Sequence, residues 1–176
     1  MVGGGPSGLS AAYQLRRRGF AVTLFETQPE LGGLMRYGIP AYRLSRAVLD
    51  AEIARLVALG IDVRCGQAMD SPEALAELRA AFDAVYLAYG ARRQKRLPQL
   101  DYSRPWAIDG ADYLARTSAG APPALGPRVV VIGGGSAALD VARSARRAGH
   151  EVTVLALEAE HSMPAPSLPL IACSYP

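Results

Sequence analysis

Apolar side chains recur along the first half of the chain with a helical spacing that glycines interrupt. Residues 9–18 show this spacing, stop at a glycine and lead into an apolar run at 20–25 that predicts a strand. A second helix is predicted between Ser45, a suitable N-cap, and Gly60. Residues 71–73 combine a cap, a proline at the first helical position and an early acid, so they predict the start of a third helix.

Shorter apolar runs predict the remaining strands. A short strand is expected at residues 61–65, a buried one at 83–89 (DAVYLAY) and a β-branched one at 129–132. Residues 97–108 are interrupted by prolines and predict irregular structure, followed by a short helix at 111–117. Strands that alternate with helices in this way predict an α/β fold.

Composition indicates where the chain divides. Residues 120–127 are rich in glycine, proline and alanine and have the character of a linker. We therefore expect a first domain at 1–119 and a second domain at 128–176. Repeated prolines after Ser162 predict that the second domain ends in an irregular tail.

One short pattern occurs twice, 130 positions apart (residue 3 against residue 133). A glycine-rich run opens each copy, GGGPSGL at residues 3–9 and GGGSAAL at residues 133–139. In both copies a helix with an arginine-rich end, a glycine and a strand follow without a gap. Glycine turn, helix and strand form the phosphate-binding half of a dinucleotide-binding βαβ unit, so two Rossmann-like nucleotide sites are predicted.

The first copy has the spacing G-x-G-x-x-G. Gly3 permits the tight turn, Gly5 lets the backbone approach a pyrophosphate, and Gly8 lets the helix pack closely on the sheet. The helix then directs its N-terminal amides at the phosphates. Glu26 ends the following strand, where its carboxylate can accept hydrogen bonds from a ribose diol.

The second copy reads G-x-G-x-x-A, at Gly133, Gly135 and Ala138. Alanine in the third position loosens the packing of the helix on the strand and is often found in NADP sites. An NADP site, however, needs an arginine near the end of the next strand, and that strand ends at Glu158. A carboxylate there repels a 2′-phosphate and can accept from a free 2′-hydroxyl, which favours NADH over NADPH.

Charge and cysteine content argue against several function classes. The net charge is +3, and the basic run at 92–96 has no interleaved aromatic residues, so it is interpreted as a solvated loop and no nucleic-acid partner is expected. No apolar run reaches the roughly 20 residues that span a bilayer, and no signal peptide is recognised, so no membrane partner and a cytoplasmic location are expected. Cys65 and Cys173 form no CxxC pair, which argues against a redox dithiol and a cysteine-ligated iron–sulfur cluster within this chain. No metal-binding residue is predicted.

Three stretches resemble the flavin- and pyridine-nucleotide-binding module of the glutamate synthase small subunit and of dihydropyrimidine dehydrogenase. They are GPSGLSAAYQLRRRGFAVTLFE, LGGLMRYGIPAYRL and VVVIGGGSAALDVARSARRAG, with MPA following. The resemblance covers about residues 2–165. It implies Rossmann-like, doubly wound three-layer folds, with an FAD-binding part followed by a partial NAD(P)-binding part.

The activity that this resemblance implies is hydride transfer from NADH, or less favourably NADPH, to FAD. Electrons would then pass to an iron–sulfur or catalytic partner subunit. No acid or base in the protein is needed for this transfer, because the cofactors carry the chemistry and the protein aligns them. No catalytic residue is therefore predicted.

The resemblance also assigns binding residues. It carries FAD contacts onto the first glycine turn, the LGGL stretch and positions beyond it: Gly3, Gly5, Pro6, Ser7, Gly8, Glu26, Gly32, Gly33, Leu34, Arg43 and, through its backbone, Met69. The second turn is expected to bind the phosphates of the nicotinamide cofactor, at Gly133, Gly135, Ser136, Ala137 and Ala138. Glu158, beyond the next strand, is included among the residues that bind this cofactor. Where the family has threonine-glycine against the flavin this chain has Tyr89-Gly90, so the contact at Gly90 is altered.

The chain departs from the family at both ends. Only Met1-Val2 stand where relatives have the central strand before the first turn, and the chain ends soon after residues 163–165. We therefore expect a truncated chain whose first glycine turn has lost its platform. The alternative to an oxidoreductase is then a non-catalytic fragment that binds at most one nucleotide, or that a partner chain completes. A disulfide reductase is disfavoured by the missing CxxC, and a flavin monooxygenase by the second nucleotide motif and the RYGIP stretch.

Overall fold

The computed structural model of the chain describes residues 1–91, 95–158 and 162–163. Its helices and strands are, in chain order, α1 (Pro6–Arg17), β1 (Thr23–Glu26), α2 (Leu34–Tyr37), α3 (Arg46–Val57), β2 (Asp62–Cys65), α4 (Pro72–Ala81), α5 (Gly110–Ser118), β3 (Arg128–Ile132), α6 (Ser136–Arg147) and β4 (Glu151–Leu155). The mixed α/β character is as predicted, but the short helix α2 is not predicted from the sequence. Most of the basic run at 92–96 and of the predicted irregular tail lies outside the described residues. None of the described helices combines the length and the apolar character needed to cross a bilayer.

Side-chain caps define two helix starts, of which only the one at Ser71 is predicted from the sequence. The predicted N-cap Ser45 does precede α3, but its side chain makes no capping hydrogen bond. The Ser71 side chain accepts from the amide of Ala74 at 3.1 Å, and Pro72 follows as the first helical residue of α4. Asp109 caps α5 in the same way, accepting from the amide of Ala111 at 3.0 Å. At α1 the N-cap is Gly5, which has no side chain to offer, so the first amides of this helix have no such cap.

Contacts divide the described residues into two compact units, 1–36 with 41–93 and 37–40 with 94–176. In the first unit β1 and β2 pair in parallel. Neighbouring residues of β1 face opposite sides of the sheet, so Leu24 packs with Leu9 of α1 and Ile53 of α3, while Phe25 packs with Leu78 of α4. Helices therefore cover both faces, which is the three-layer α/β arrangement predicted from the sequence.

Val2 occupies the centre of this sheet. It forms parallel bridges to Phe25 on one side and to Leu87 on the other. Its N–H donates to the carbonyl of Tyr86 at 2.9 Å, and the N–H of Gly3 donates to the carbonyl of Phe25 at 2.8 Å. The expectation that the first glycine turn has lost its platform is therefore wrong. Pairing on both edges immediately before Gly3 is enough to hold the backbone where the turn begins.

Residues 83–89 run beside Val2 but form no regular strand, since Leu87 alone is bridged. Their aromatic and aliphatic side chains are half exposed, with Tyr86 and Leu87 both at 46% and Tyr89 at 50%. The prediction of a buried strand at 83–89 is therefore wrong: the segment is half exposed and forms only an isolated bridge. The segment has the apolar pattern of a central strand, but within the described residues only its edge toward Val2 is paired.

The second unit contains the parallel pair β3 and β4, covered on one face by α6 through Leu139, Ala142 and Ala145. Its boundary differs from the one expected at residue 119, because the apolar face of α5 packs against α6. Tyr113 and Leu114 form one buried cluster with Ala145. Residues 120–127, expected to be a linker, belong to the same unit, and Leu125 within them packs against that cluster.

Candidate nucleotide-binding sites

The first glycine turn admits no larger residue at Gly3 or Gly8. Gly3 has φ +105°, and a Cβ built on it would lie 2.2 Å from the carbonyl oxygen of Ala88. A Cβ on Gly8 would lie 1.9 Å from the carbonyl oxygen of Gly3. The first turn of α1 therefore packs closely against the glycine turn, as G-x-G-x-x-G predicts.

Glu26 lies buried at the end of β1, 8% exposed, with each carboxylate oxygen bound to a backbone amide. Oε2 accepts from Gly4 at 2.7 Å and Oε1 accepts from Gln28 at 2.8 Å. A carboxylate oxygen has two acceptor positions, so both oxygens retain one for a further donor. The ribose-binding acid predicted from the sequence is thus fixed against the glycine turn, through Gly4, a residue that the motif leaves unspecified.

A second loop lies directly on the first. Gly32 donates its amide hydrogen to the carbonyl of Gly4 at 2.8 Å. Gly33 has φ +52°, and a Cβ on it would lie 2.7 Å from Cα of Gly5. Gly32, Gly33 and the first turn, which the sequence could only assign separately, are therefore in backbone contact. Leu34, the next residue, is exposed by 54%.

The remaining predicted contacts of the first unit lie around this core. Met69 packs beside Val2 and Phe25, and its carbonyl accepts from the hydroxyl of Tyr89 at 3.0 Å. Tyr89 therefore ties the loop that carries Met69 to the segment before Gly90, which has φ +72°. Arg43 is exposed on the segment between α2 and α3.

Ser7, in the first turn of α1, has a partner that the motif does not predict. Its hydroxyl lies 2.9 Å from the hydroxyl of Tyr86. No pattern in the sequence identifies this pair, because the two residues are 79 positions apart and Tyr86 belongs to a segment whose pattern indicates burial.

The second glycine turn repeats the geometry of the first. The N–H of Gly133 donates to the carbonyl of Leu155 at 2.7 Å, as that of Gly3 does to Phe25. A Cβ on Gly134 would lie 3.1 Å from Oε2 of Glu158, the same distance that separates a Cβ on Gly4 from Oε2 of Glu26. The Glu158 carboxylate thus lies near the second glycine of its turn. Unlike the buried Glu26 it is exposed, and Ala156 occupies the position in the repeat that matches Glu26.

Ala138 marks the difference between the two turns. A Cβ on Gly133, where φ is +130°, would lie 3.3 Å from the methyl of Ala138. In the first copy a methyl at the matching position, Gly8, has no room at all. Gly135 is the N-cap of α6, followed by Ser136 and Ala137 as the first helical residues. The predicted phosphate contacts therefore surround the N-terminus of α6, which also lacks a side-chain cap.

Cys65 ends β2 opposite Glu26 in the parallel register. Burial, and next the negative charges of Glu26 and Glu30, raise the pKa of its thiol. The thiol is therefore protonated at neutral pH and is a poor nucleophile. Among the residues that the structure describes, no group of three or more His, Cys, Asp or Glu side chains is placed to hold a metal ion.

Because its pKa is raised, alkylation of the Cys65 thiol should accelerate only at a higher pH than for a free cysteine. The rate of modification by iodoacetamide, followed by peptide mass spectrometry across a pH series, measures this. Rapid alkylation of Cys65 at neutral pH would contradict the raised pKa of its thiol.

Known proteins with a similar sequence or structure agree with this geometry. The family model described as pyridine nucleotide-disulphide oxidoreductase matches residues 1–166. The chain is 37% identical over 167 residues to an NAD-dependent dihydropyrimidine dehydrogenase subunit of Salmonella typhimurium, covering 94% of this chain and 40% of that protein. It is 36% identical over 193 residues to the glutamate synthase [NADPH] small chain of Mycobacterium tuberculosis. This match covers 97% of this chain and 39% of that protein.

A solved structure supports the fold. FprA of Mycobacterium tuberculosis in complex with NADPH superposes with a TM-score of 0.77 at 23% identity, over 98% of this chain and 46% of that one. The chain spans 24% to 40% of the length of curated relatives that it matches. The resemblance drawn from the LGGLMRYGIPAYRL stretch and the two glycine turns is confirmed. The chain belongs to the pyridine nucleotide-disulphide oxidoreductase family.

Proposed function

We propose that the chain is the two-nucleotide module of a flavin-dependent oxidoreductase, with FAD on the first unit and NADH on the second. The family uses FAD and NAD(P)H. One observation carries the assignment of two sites: each glycine turn has a glutamate carboxylate against its second glycine, Glu26 at Gly4 and Glu158 at Gly134. A carboxylate in this position accepts from ribose hydroxyls and repels a 2′-phosphate.

The binding residues of the first site are those assembled around Gly3–Gly8, with Gly32, Gly33 and Glu26 in contact with them. The uncapped amides of α1 hold the pyrophosphate, and Glu26 accepts from the ribose through its remaining lone pairs. Arg43, Met69 and Gly90 complete the assignment by family resemblance. FAD, when bound, supplies a two-electron acceptor, so that NADH and a proton are converted to NAD⁺ as the flavin is reduced.

The second site belongs to the nicotinamide cofactor. Gly133, Gly135 and the first turn of α6 at Ser136–Ala138 hold its phosphates, and Glu158 accepts from the adenosine ribose. Relatives differ in the cofactor that their names give, NAD for the dihydropyrimidine dehydrogenase subunit and NADPH for the glutamate synthase chain. The carboxylate of Glu158 at Gly134 is what favours NADH here.

The electrons leave the flavin for a partner subunit that carries iron–sulfur or catalytic centres. Support for a partner comes from the relatives, one named as a subunit and one as a small chain. The two cysteines of this chain form no CxxC pair, so a dithiol within it is disfavoured as the next acceptor despite the family's name. Reduction of an added one-electron acceptor in the presence of NADH measures this onward transfer.

Purified chain, reconstituted with FAD, tests the proposal. We expect a yellow protein whose flavin absorbance bleaches anaerobically on addition of NADH, and more slowly with NADPH. A non-catalytic module that binds at most one nucleotide is the competing function. It predicts either no bound FAD or bound FAD that neither nucleotide reduces, and that result would overturn our proposal.

A further inference from the structure

Arg36 is a charged residue that the protein buries almost completely, with only 7% of it exposed. Its Nε donates to the carbonyl of Leu31 at 2.6 Å. One terminal nitrogen lies 3.4 Å from Oε2 of Glu30, and the other donates to the carboxylate of Asp50. All three nitrogens of the guanidinium therefore have a partner. This arrangement requires the planar fork of arginine and not simply a positive charge.

The partners of Arg36 enclose the Gly32-Gly33 loop. Its side chain binds the carbonyl of Leu31 before the loop, and its own N–H donates to the carbonyl of Gly33 at 3.1 Å. The β-carbon of Arg36 also lies 3.1 Å from the position of a Cβ on Gly32. One residue thus fixes the loop from both ends, while Gly32 holds the first glycine turn through the carbonyl of Gly4.

The loop is in turn anchored to α3. Asp50 projects from this helix to Arg36, and Arg46, also on α3, donates to the carbonyl of Met35 at 3.1 Å. The helix itself is fixed in the core by Leu49 and Ile53. Arg36 therefore links a rigid helix to a glycine loop that has no side chains of its own with which to pack.

We propose that Arg36 is a positioning residue for the FAD site, holding Gly32-Gly33 against the first glycine turn before the cofactor arrives. This rests on the proposed function of that turn. Two adjacent glycines lose much conformational freedom when they are ordered, and a loop that is already ordered removes this cost from binding. A lysine at position 36 keeps the charge but cannot satisfy Leu31, Glu30 and Asp50 in one plane.

The test compares Arg36→Lys, Asp50→Asn and a control, Arg55→Lys, which alters an exposed arginine on the same helix that pairs with Glu52. FAD dissociation constants are measured by quenching of flavin fluorescence. Amide exchange of Gly32 is followed by NMR, with Phe25 of β1 as an internal reference. We expect FAD binding to weaken about tenfold in Arg36→Lys and about threefold in Asp50→Asn, with unchanged binding in Arg55→Lys.

The exchange measurement separates positioning from a general loss of stability. In Arg36→Lys the Gly32 amide should exchange faster while the Phe25 amide keeps its protection, because the loop loosens and the sheet does not. Asp50, half exposed at 53%, gives a second variant if Arg36→Lys fails to fold. Wild-type affinity in Asp50→Asn, or equal loss of protection at both amides, overturns the positioning role. A wild-type chain that binds no FAD overturns the proposed function instead.

Discussion

Replacing Gly8 by alanine is expected to weaken FAD binding by about 5- to 150-fold. The added methyl would lie 1.9 Å from the carbonyl oxygen of Gly3, a backbone atom that cannot rotate away. The helix must therefore move, but Leu9 and Ala12 hold it in the core at 3% and 0% exposure. Overpacking of this kind costs about 1–3 kcal/mol, and in this position it displaces the amides that we propose bind the pyrophosphate.

Gly126→Ala is the matched control for this prediction. Gly126, like Gly8, has an ordinary backbone φ, but no atom lies within 4 Å of the position of its Cβ. The two variants therefore add the same methyl, one at a crowded position of α1 and one at an open position before β3. Isothermal titration with FAD should show the loss in Gly8→Ala alone. If both variants bind FAD as tightly as the wild type, close approach of α1 to the turn is not what forms the site.

The glycine turns could be predicted from the sequence because their geometry leaves almost no choice of residue. Gly3 has a positive φ, and Gly3 and Gly8 both lack room for a Cβ, so the motif directly encodes the backbone. The helix start at Ser71 could be predicted for a similar reason, since the cap is a local side-chain-to-backbone bond. Local constraints of this kind leave a signature within a few residues.

Features that depend on distant partners left no such signature. Val2 alone forms the centre of the first sheet because its partners on both sides are in place, and a length criterion for strands misses a single residue. The half-exposed segment 83–89 has the apolar pattern of a buried strand, but its exposure depends on what pairs with its other edge. The role of Arg36 depends on Asp50, 14 positions away, and nothing in the RYGIP stretch points to that partner.

The second turn allows a test of cofactor choice that is independent of the first. Replacing Glu158 by arginine should raise the kcat/KM ratio of NADPH to NADH by about ten- to a hundredfold. The change removes a carboxylate that would repel the 2′-phosphate and adds a guanidinium that can bind it in a bidentate manner. Charge-assisted hydrogen bonds contribute about 1.5–3 kcal/mol, and about 1.4 kcal/mol corresponds to a factor of ten.

Glu151→Arg supplies the control, because it makes the same change of charge at the opposite end of β4, on another exposed glutamate. A long-range electrostatic effect on the doubly charged NADPH phosphate would appear in both variants and fall with salt. A local effect at the ribose would appear only in Glu158→Arg and persist at moderate ionic strength. An unchanged NADPH-to-NADH ratio in Glu158→Arg would show that the carboxylate beside Gly134 does not face the adenosine ribose. The choice of donor would then have to lie elsewhere in the second unit.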